Sequence, residues 1–526
     1  MAAPQITALD GMHFDVVIVG AGINGASTAQ HLSAAGYRVL VVDQGDFANG
    51  ATSRSSRLLH CGLRHLASGS SLWTSLLRPH SLCRSLGIVH ADMIARDEIV
   101  QTIPERVKPI NICLPIYADD PYQPWHMDLA FSMLRMMSPR GVPLDYRRYA
   151  PGQSMNQVPV EPWLRDPARL RGIAVFREYL FDWPERIALD ALFDARRMGA
   201  QVHNYTRVEV LQRFGSKDRW RLLLGSAGQE EHSDQSGPNV TAQVTTDMVL
   251  NLAGAWVDAI TGKTGVTIEP KCAGIKGIHI ALRLPHEFSN WGLFTYNSIG
   301  EPLYCLPLNG MHYIGLTRTT FNGDIDDVSA SDREIDWMIA ETNRCLPRLA
   351  ITRADILFSW AGVNPLTHDP NNPLGSREIK IHDLASDGLP GMLALTGGAI
   401  MTHRRVANRL LTAVSGRLAP SASPQELTFQ WADNASEENT PRIESDSFSV
   451  SIATVMRCAR DEQPRSLADL LMRRLGAGWA SDQGLALARP VAEVAASELG
   501  WSETRVDAEV RDYARHLETA RRRPSV

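Results

Sequence analysis

Phe14-Asp-Val-Val-Ile-Val-Gly20-Ala-Gly22-Ile-Asn24-Gly25, followed after a helical stretch by Val39-Leu-Val-Val-Asp43, decides how this chain begins to fold. It reads strand, glycine turn, helix, strand, acid. Gly20 permits the tight turn off the first strand, Gly22 lets backbone approach a pyrophosphate, and Gly25 lets the helix pack against the sheet. The helix N-terminus turns N–H groups and the positive end of its dipole toward phosphate oxygens. Asp43 ends the second strand, where a carboxylate accepts hydrogen bonds from both hydroxyls of an adenosine ribose. A glycine triplet alone is weak. Here a β-branched strand precedes it, an Ala-rich stretch follows, and an acid closes the next strand. Dinucleotide binding is the reading, over a bare βα turn with no ligand.

At 526 residues the chain is long enough for two or three domains. Its net charge of −5 lacks the basic excess of a nucleic-acid binder, so no nucleic-acid partner is expected. Seven cysteines (Cys61, Cys83, Cys113, Cys272, Cys305, Cys345 and Cys458) form no Cys-x-x-Cys pair, which speaks against a zinc site or a disulfide framework. Reduced, cytosolic thiols are the simplest reading, and no metal site is expected. Residues 1–11 lack the apolar core of a signal peptide, and no run reaches the length of a membrane span. Leu129-Ala-Phe-Ser-Met-Leu-Arg-Met-Met137 is weighed as a membrane-surface contact against an ordinary buried helix, and the buried helix is preferred.

Further along, residues 106–165 look irregular and proline-rich, like an inserted segment. Leu189–Gly199 reads as a helix ending at glycine, with Gln201–Leu211 returning to the sheet as a strand. Trp220–Leu224 and Val240–Leu250 read as strands around a polar turn. Met248–Leu252 is a strand that runs into Gly254 and a helix. Lys276–Arg318 alternates apolar and polar residues, as an antiparallel sheet over a substrate would. Met392–Thr396 runs into Gly397-Gly398 and another helix. Trp431–Ser447 is an acidic linker. Beyond it Ser466–Leu475, Gly484–Leu499 and Ser502–Leu517 form a helical module, with Ser502 as an N-cap.

Ala51-Thr52-Ser53-Arg54-Ser55-Ser56-Arg57-Leu58-Leu59-His60-Cys-Gly-Leu-Arg64-His65 is dense in hydroxyls. By spacing alone it is a flavin-phosphate contact or a polar surface loop. Taken with Ile23-Asn24-Gly25-Ala26, it resembles the FAD-dependent glycerol-3-phosphate dehydrogenases, which share the broader fold of D-amino-acid oxidases. The resemblance continues through Leu252-Ala-Gly254-Ala-Trp256-Val-Asp258, Lys276-Gly-Ile-His279, Trp360-Ala-Gly-Val-Asn364-Pro365-Leu366 and Thr396-Gly397-Gly398-x-x-x-Thr402-x-Arg404, and into the helices bearing Arg473-Arg474 and Glu498-Leu-Gly-Trp-x-Glu503.

The resemblance implies an α/β fold. A Rossmann-like FAD-binding domain would take residues 10–110, 171–262 and 385–420, a β-rich substrate domain 111–170 and 263–384, and a small all-helical C-terminal domain 448–521. It implies FAD held through Gly20, Gly22, Asn24, Gly25, Asp43, Thr52, Ser53, Ser56, Leu58 and His60. Val208 would lie on the adenine side and Gly254 near the pyrophosphate. Gly397, Gly398 and Thr402 would set a helix N-terminus at the flavin N1/O2 edge. The implied reaction is hydride transfer from a small polar alcohol, phosphorylated or otherwise anionic, to flavin N5. Electrons would pass to a quinone or another acceptor. The protein would be cytoplasmic or peripheral at the inner face of the cell membrane, and a homodimer is compatible with the family.

His279 matches the family's active-site histidine, and an imidazole suits proton abstraction; judged without the resemblance it reads rather as a histidine hydrogen-bonded within a sheet. Arg64 matches a substrate-contacting arginine, and Arg377 falls loosely near another. The family's Gly-Val-Arg-Pro-Leu is here Gly362-Val-Asn364-Pro365-Leu366, its Gly-Gly-Lys is Gly397-Gly398-Ala399, its Gly-Thr-Thr-Asp is Gly315-Leu-Thr-Arg318, and its tyrosine after the position of Arg64 is His65. Two active-site cations are lost and one, Arg318, is gained. Either Arg318, His65 and His403 rebuild an anion pocket, with His279 or His65 as base, or the substrate is not glycerol 3-phosphate. Amine or amino-acid oxidation with O2 is then the alternative chemistry. A non-catalytic flavin binder is a third reading, and His279 and Arg64 speak against it.

Overall fold

Val16–Val19 and Val39–Val42 carry β-branched side chains on both faces, as strands covered on both sides require, and they form the centre of a sheet. In the computed structural model, which describes residues 6–63, 79–138, 141–153, 157–215, 219–227, 240–429 and 440–524, β1 (His13–Val19) pairs in parallel with β2 (Val39–Val42), Val16 beside Val39. The helix α1 (Ile23–Ala34) makes the crossover. On the other side of β1 lie β10 (Val240–Asn251) and β18 (Met392–Thr396), both parallel, then β17 (Lys380–Asp383) as an antiparallel edge; β7 (Gln201–His203) continues beyond β2. Two helices, α4 (Pro184–Arg197) and α7 (His403–Ser415), pack against α1.

The expected single strand Gln201–Leu211 is two. Tyr205 adopts φ of +49°, which swings the chain off the parallel sheet after β7. Thus β8 (Thr206–Phe214) pairs only with β9 (Arg219–Ser226), which in turn pairs with β10.

A second sheet has ten strands. Its central members are β11 (Cys272–Leu282), β14 (Met311–Gly315), β13 (Pro302–Leu308), β12 (Trp291–Tyr296), β4 (Val107–Tyr117) and β6 (Leu170–Phe181), ending at β3 (Leu58–Leu59). A long strand, β16 (Ile356–Thr367), lies along β11, while β15 (Thr319–Thr320) and β5 (Arg147–Tyr149) pair at β11 and β6. The irregular insert expected over 106–165 is therefore corrected. Its first part is a strand of 11 residues paired along its length with β6. Pro109 and Pro115 flank Asn111–Cys113, the three residues that also pair with β12, so neither proline removes a bond from that ladder. Residues 171–181, assigned above to the cofactor domain, pair within this second sheet.

Helices α2 (Pro79–Thr102) and α3 (Pro124–Met137) cover this sheet, with Val89, Met93, Met127, Phe131 and Leu134 in its core. The buried-helix reading of residues 129–137 holds for one face of α3 only: Trp125, Leu129 and Met136 are 58, 48 and 87% exposed. Among the described residues no helix is long and apolar enough to cross a membrane. Two further helices, α5 (Val257–Gly262) and α6 (Asp332–Cys345), follow β10 and precede β16.

The C-terminal module holds α8 (Ile452–Asp461), α9 (Leu485–Leu499) and α10 (Glu503–Ala520) around a helical turn at Asp469–Arg474. Ser502 caps α10, its hydroxyl accepting from the Arg505 N–H at 3.2 Å. Part of the expected linker is a hairpin, β19 (Arg442–Glu444) with β20 (Ser449–Ser451); residues 430–439 lie outside the described residues. Buried charges join the module to the first sheet. Arg473 and Arg474 both hold Asp46, and Arg186 of α4 bonds Glu462 at 2.7 Å.

Candidate active site

A cavity of about 780 Å³ opens where the two sheets meet, within the range of roughly 300–1,000 Å³ usual for small-molecule and cofactor sites. One end is the glycine turn. Gly20 has φ of +105°, and a Cβ there would lie 2.6 Å from the Leu252 carbonyl oxygen. A Cβ on Gly25 would lie 1.9 Å from the Gly20 carbonyl oxygen, so only glycine lets α1 close on the turn. Gly22 lines the cavity, and Thr52 accepts the Ile23 N–H at 3.0 Å. The half-buried Asp43 accepts from the N–H groups of Ala21 (2.7 Å) and Gly45 (2.9 Å). Burial pushes its carboxyl up to about 6, against those two hydrogen bonds.

Gly20, Gly22, Asn24, Asp43, Thr52, Ser56, Leu58, His60, Val208, Gly254, Gly397, Gly398 and Thr402 all line this one cavity. Gly25 and Ser53 do not: Gly25 lies under the turn, and the Ser53 hydroxyl is spent on the Asn49 and Gly50 carbonyls, both at 3.2 Å. The Nδ1 of His60 accepts from the Gly62 N–H, at 3.2 Å. The second glycine turn closes on the first, because Asn24 donates to the Gly398 carbonyl at 2.9 Å.

The other end of the cavity is built by the second sheet. His279 on β11 lies opposite Gly315 and Trp360. A Cβ on Gly315 would reach 2.3 Å from the imidazole, so glycine there makes room for the ring. Burial, then the Arg57 guanidinium, hold the imidazole at about 3, well below its ordinary value, so it is neutral at physiological pH. Lys276, Arg318 and Arg377 line the same cavity, as do Asn364 and Ala399. Lys276 is bonded to Glu334 at 2.7 Å. Arg318 sits 3.4 Å from Glu301 and donates to the Leu374 carbonyl at 3.3 Å, and its buried Nε has no partner among the described residues. Arg64 and His65 lie outside the described residues. His403 is removed from the anion pocket by the structure. It is 3% exposed, absent from the cavity wall and bonded to the Ile400 carbonyl at 2.7 Å, and burial holds it neutral, at about 3.

Residues 15–404 match the family described as FAD dependent oxidoreductase, which is more than half of the chain. The chain belongs to that family. Residues 426–506 match the C-terminal domain of alpha-glycerophosphate oxidase. Glycerol-3-phosphate dehydrogenase of Synechocystis sp. is 28% identical over 421 residues, covering 78% of this chain and 71% of that protein. Aerobic glycerol-3-phosphate dehydrogenase of Staphylococcus saprophyticus is 26% identical over 411 residues, covering 78% and 68%. Among solved structures, glycerol-3-phosphate dehydrogenase from Bacillus halodurans, complexed with FAD, superposes with a TM-score of 0.68 at 19% identity, covering 98% of this chain and 96% of that one. At that identity the superposition speaks for the fold.

FAD is thus the cofactor of this oxidoreductase, and the cavity fits it. Gly20 and Gly22 leave backbone bare at the N-terminus of α1 for a pyrophosphate. Asp43 offers a carboxylate one strand away, and the buried Oδ1 of Asn24 has no partner among the described residues. Sequence reasoning passed over Arg54, which lines the cavity, with Gly362 against its Cβ (a Cβ there would lie 2.9 Å away). It stood inside the quoted hydroxyl-rich stretch, but nothing in its spacing separated it from a surface arginine. Trp256 and Asp326, bonded to each other at 3.1 Å, were likewise missed as cavity residues.

Proposed function

We propose that this flavoenzyme oxidises the secondary hydroxyl of glycerol 3-phosphate or a close anionic analogue. The observation that carries the reading is that His279 and three cationic residues, Lys276, Arg318 and Arg377, share one cavity with the glycine cradle. The names of the relatives point to the same substrate.

FAD, when bound, supplies the acceptor for a hydride equivalent from the carbinol carbon. Gly20, Gly22 and the α1 N-terminus hold its pyrophosphate and Asp43 its ribose. Arg318 lines the cavity and offers its guanidinium charge to the substrate anion, and Lys276 and Arg377 add positive potential. They take the place of the cations missing at Asn364 and Ala399. His279 accepts the hydroxyl proton. In the free protein its low proton affinity keeps it unprotonated; an anion held nearby raises that affinity as the proton arrives. The buried walls exclude water around it. Electrons then leave for a quinone or another acceptor, and the exposed Trp125, Leu129 and Met136 on α3 support peripheral contact with a membrane.

Anaerobic titration with glycerol 3-phosphate tests the reading. Loss of the oxidised-flavin absorbance is expected. A protein that dithionite bleaches and glycerol 3-phosphate does not would redirect the search to other alcohols and to amines. His279→Gln is expected to slow flavin reduction about 10²- to 10⁴-fold, the usual contribution of a general base, with FAD retained.

A further inference from the structure

Among the described residues the buried Nδ1 of His279 has no hydrogen-bond partner that would orient the imidazole. Aromatic packing holds the ring instead. The imidazole stacks on Trp360, centroids 4.8 Å apart and planes within 15°, and meets Tyr313 edge-on at 5.7 Å. Tyr313 is tied down, its hydroxyl donating to the Ser56 carbonyl at 2.6 Å. Trp360 is not tied in that way, since its buried indole N–H has no partner among the described residues. Tyr313 (5.5 Å) and Phe358 (5.9 Å) pack on Trp360 from its own sheet, and the C-terminal module adds a third ring. Trp479 meets it edge to face at 5.3 Å, with planes at 80°.

Trp479 is itself fixed from three directions. Its indole N–H donates to Glu185 at 2.9 Å. The Arg57 guanidinium lies 3.8 Å from the ring centroid and that of Arg521 3.7 Å. Two guanidiniums cannot share one face at that distance, so the indole lies between them. Arg57 is bonded to Glu185 at 3.0 Å, and Arg521 donates to the Gly478 carbonyl at 2.7 Å. The residue after Arg521 grips the strand of Trp360: the Ser359 N–H and hydroxyl both donate to the Arg522 carbonyl at 3.1 Å.

We propose that the C-terminal module is a positioning element of the active site, in which Trp479, held between Arg57 and Arg521, braces Trp360 and thereby sets the orientation of the His279 imidazole. Trp479 and Arg521 do not line the cavity, so they are positioning residues. The proposal rests on the reading of His279 as the base. Its chemistry is geometric: a base works when its nitrogen is aimed at the hydroxyl it deprotonates, and ring stacking fixes the imidazole plane where no hydrogen bond does.

The test uses full-chain, FAD-loaded Trp479→Leu, Arg521→Gln and Arg521→Lys. Expected for the first two is a fall in the rate of anaerobic flavin reduction by glycerol 3-phosphate of about 10- to 100-fold, the scale of a misaimed catalytic group. Substrate Kd should change by less than about threefold, with full FAD content. Arg521→Lys, which keeps the charge over the indole, should recover most of the rate. In protein labelled with ¹³C-histidine, the His279 signal, identified by its loss in His279→Gln, should shift in Trp479→Leu and Arg521→Gln, because its place over the Trp360 ring changes. Folded, FAD-loaded variants with the parent rate and an unmoved His279 signal overturn the proposal. If Trp479→Leu yields no folded protein, the Arg521 pair decides. If glycerol 3-phosphate fails to bleach the parent protein, the substrate reading falls, and the His279 signal still decides this one.

Discussion

At the scale of single residues, Asp43 makes the sharpest forecast. Its carboxyl is raised to about 6 by burial, and only the ionised form can accept from ribose hydroxyls on both oxygens. The ionised fraction grows as pH rises through about 6, so FAD affinity should rise about tenfold between roughly pH 5 and 7 and flatten above. Equilibrium titration of apoprotein checks this, and Asp43→Asn should abolish the slope. The same shift makes the apoprotein's own stability from this group greatest below the ordinary carboxylate pKa and lost as pH climbs through 6. Arg318→Ala should weaken glycerol 3-phosphate binding about 10- to 100-fold, the loss of one charge-assisted hydrogen bond of ~1.5–3 kcal/mol, read as Kd in the flavin titration. Asp43 was legible because its place follows from strand length and turn. His279 was legible through its motif but not through physics: an alternating strand offers the same pattern to a core histidine. His403 misled for the converse reason, since sequence gives residue type and neighbourhood but not which way a helix-start side chain turns.

Elements were read best where one local rule governs them. The β1–α1–β2 unit needed only its glycines and apolar runs, and Ser502 announced α10 by a cap. Gly25→Ala should show how strict that first unit is. Its new methyl would meet the Gly20 carbonyl, so α1 must shift, at about 1–3 kcal/mol. A lowered Tm and poor FAD retention are the expected readouts, by thermal melting and absorbance. Elements were misread where pairing partners decide. Proline content argued against β4, yet its two prolines fall outside the β12 ladder. Only the partner strand, far off in sequence, shows that. Tyr205 hides a strand break in a non-glycine left-handed residue, which no propensity signals; its hydroxyl bonds Asp469 at 2.9 Å.

For the whole molecule, the buried charges between the first sheet and the C-terminal module carry the most weight. Arg473 and Arg474 drive the Asp46 carboxyl far below its usual range, by their charge and hydrogen bonds against the cost of burial. Asp46→Asn removes the carboxylate that Arg474 pairs with and leaves Arg473 with Asp469 alone. It should cost about 3–5 kcal/mol, seen as an earlier urea midpoint and faster proteolysis between residues 420 and 450. The sequence announced a helical module there but not that it is bolted to the turn beside Asp43, since charge pairs between distant segments have no local signature.

That bolt has a bearing on how the protein is made. Asp46 emerges from a ribosome long before Arg473, which follows it by 427 positions. At translation speeds of about 5–20 residues per second, the interval is on the order of 20–90 s. Throughout it the nucleotide cradle exists without its counter-charges, and β1 also waits for β10. A nascent chain of this enzyme therefore carries Asp46 without the two guanidiniums that neutralise it in the finished fold. Cofactor loading belongs after synthesis, or late in it, and a truncated transcript should yield colourless protein even though every predicted FAD contact is present in it.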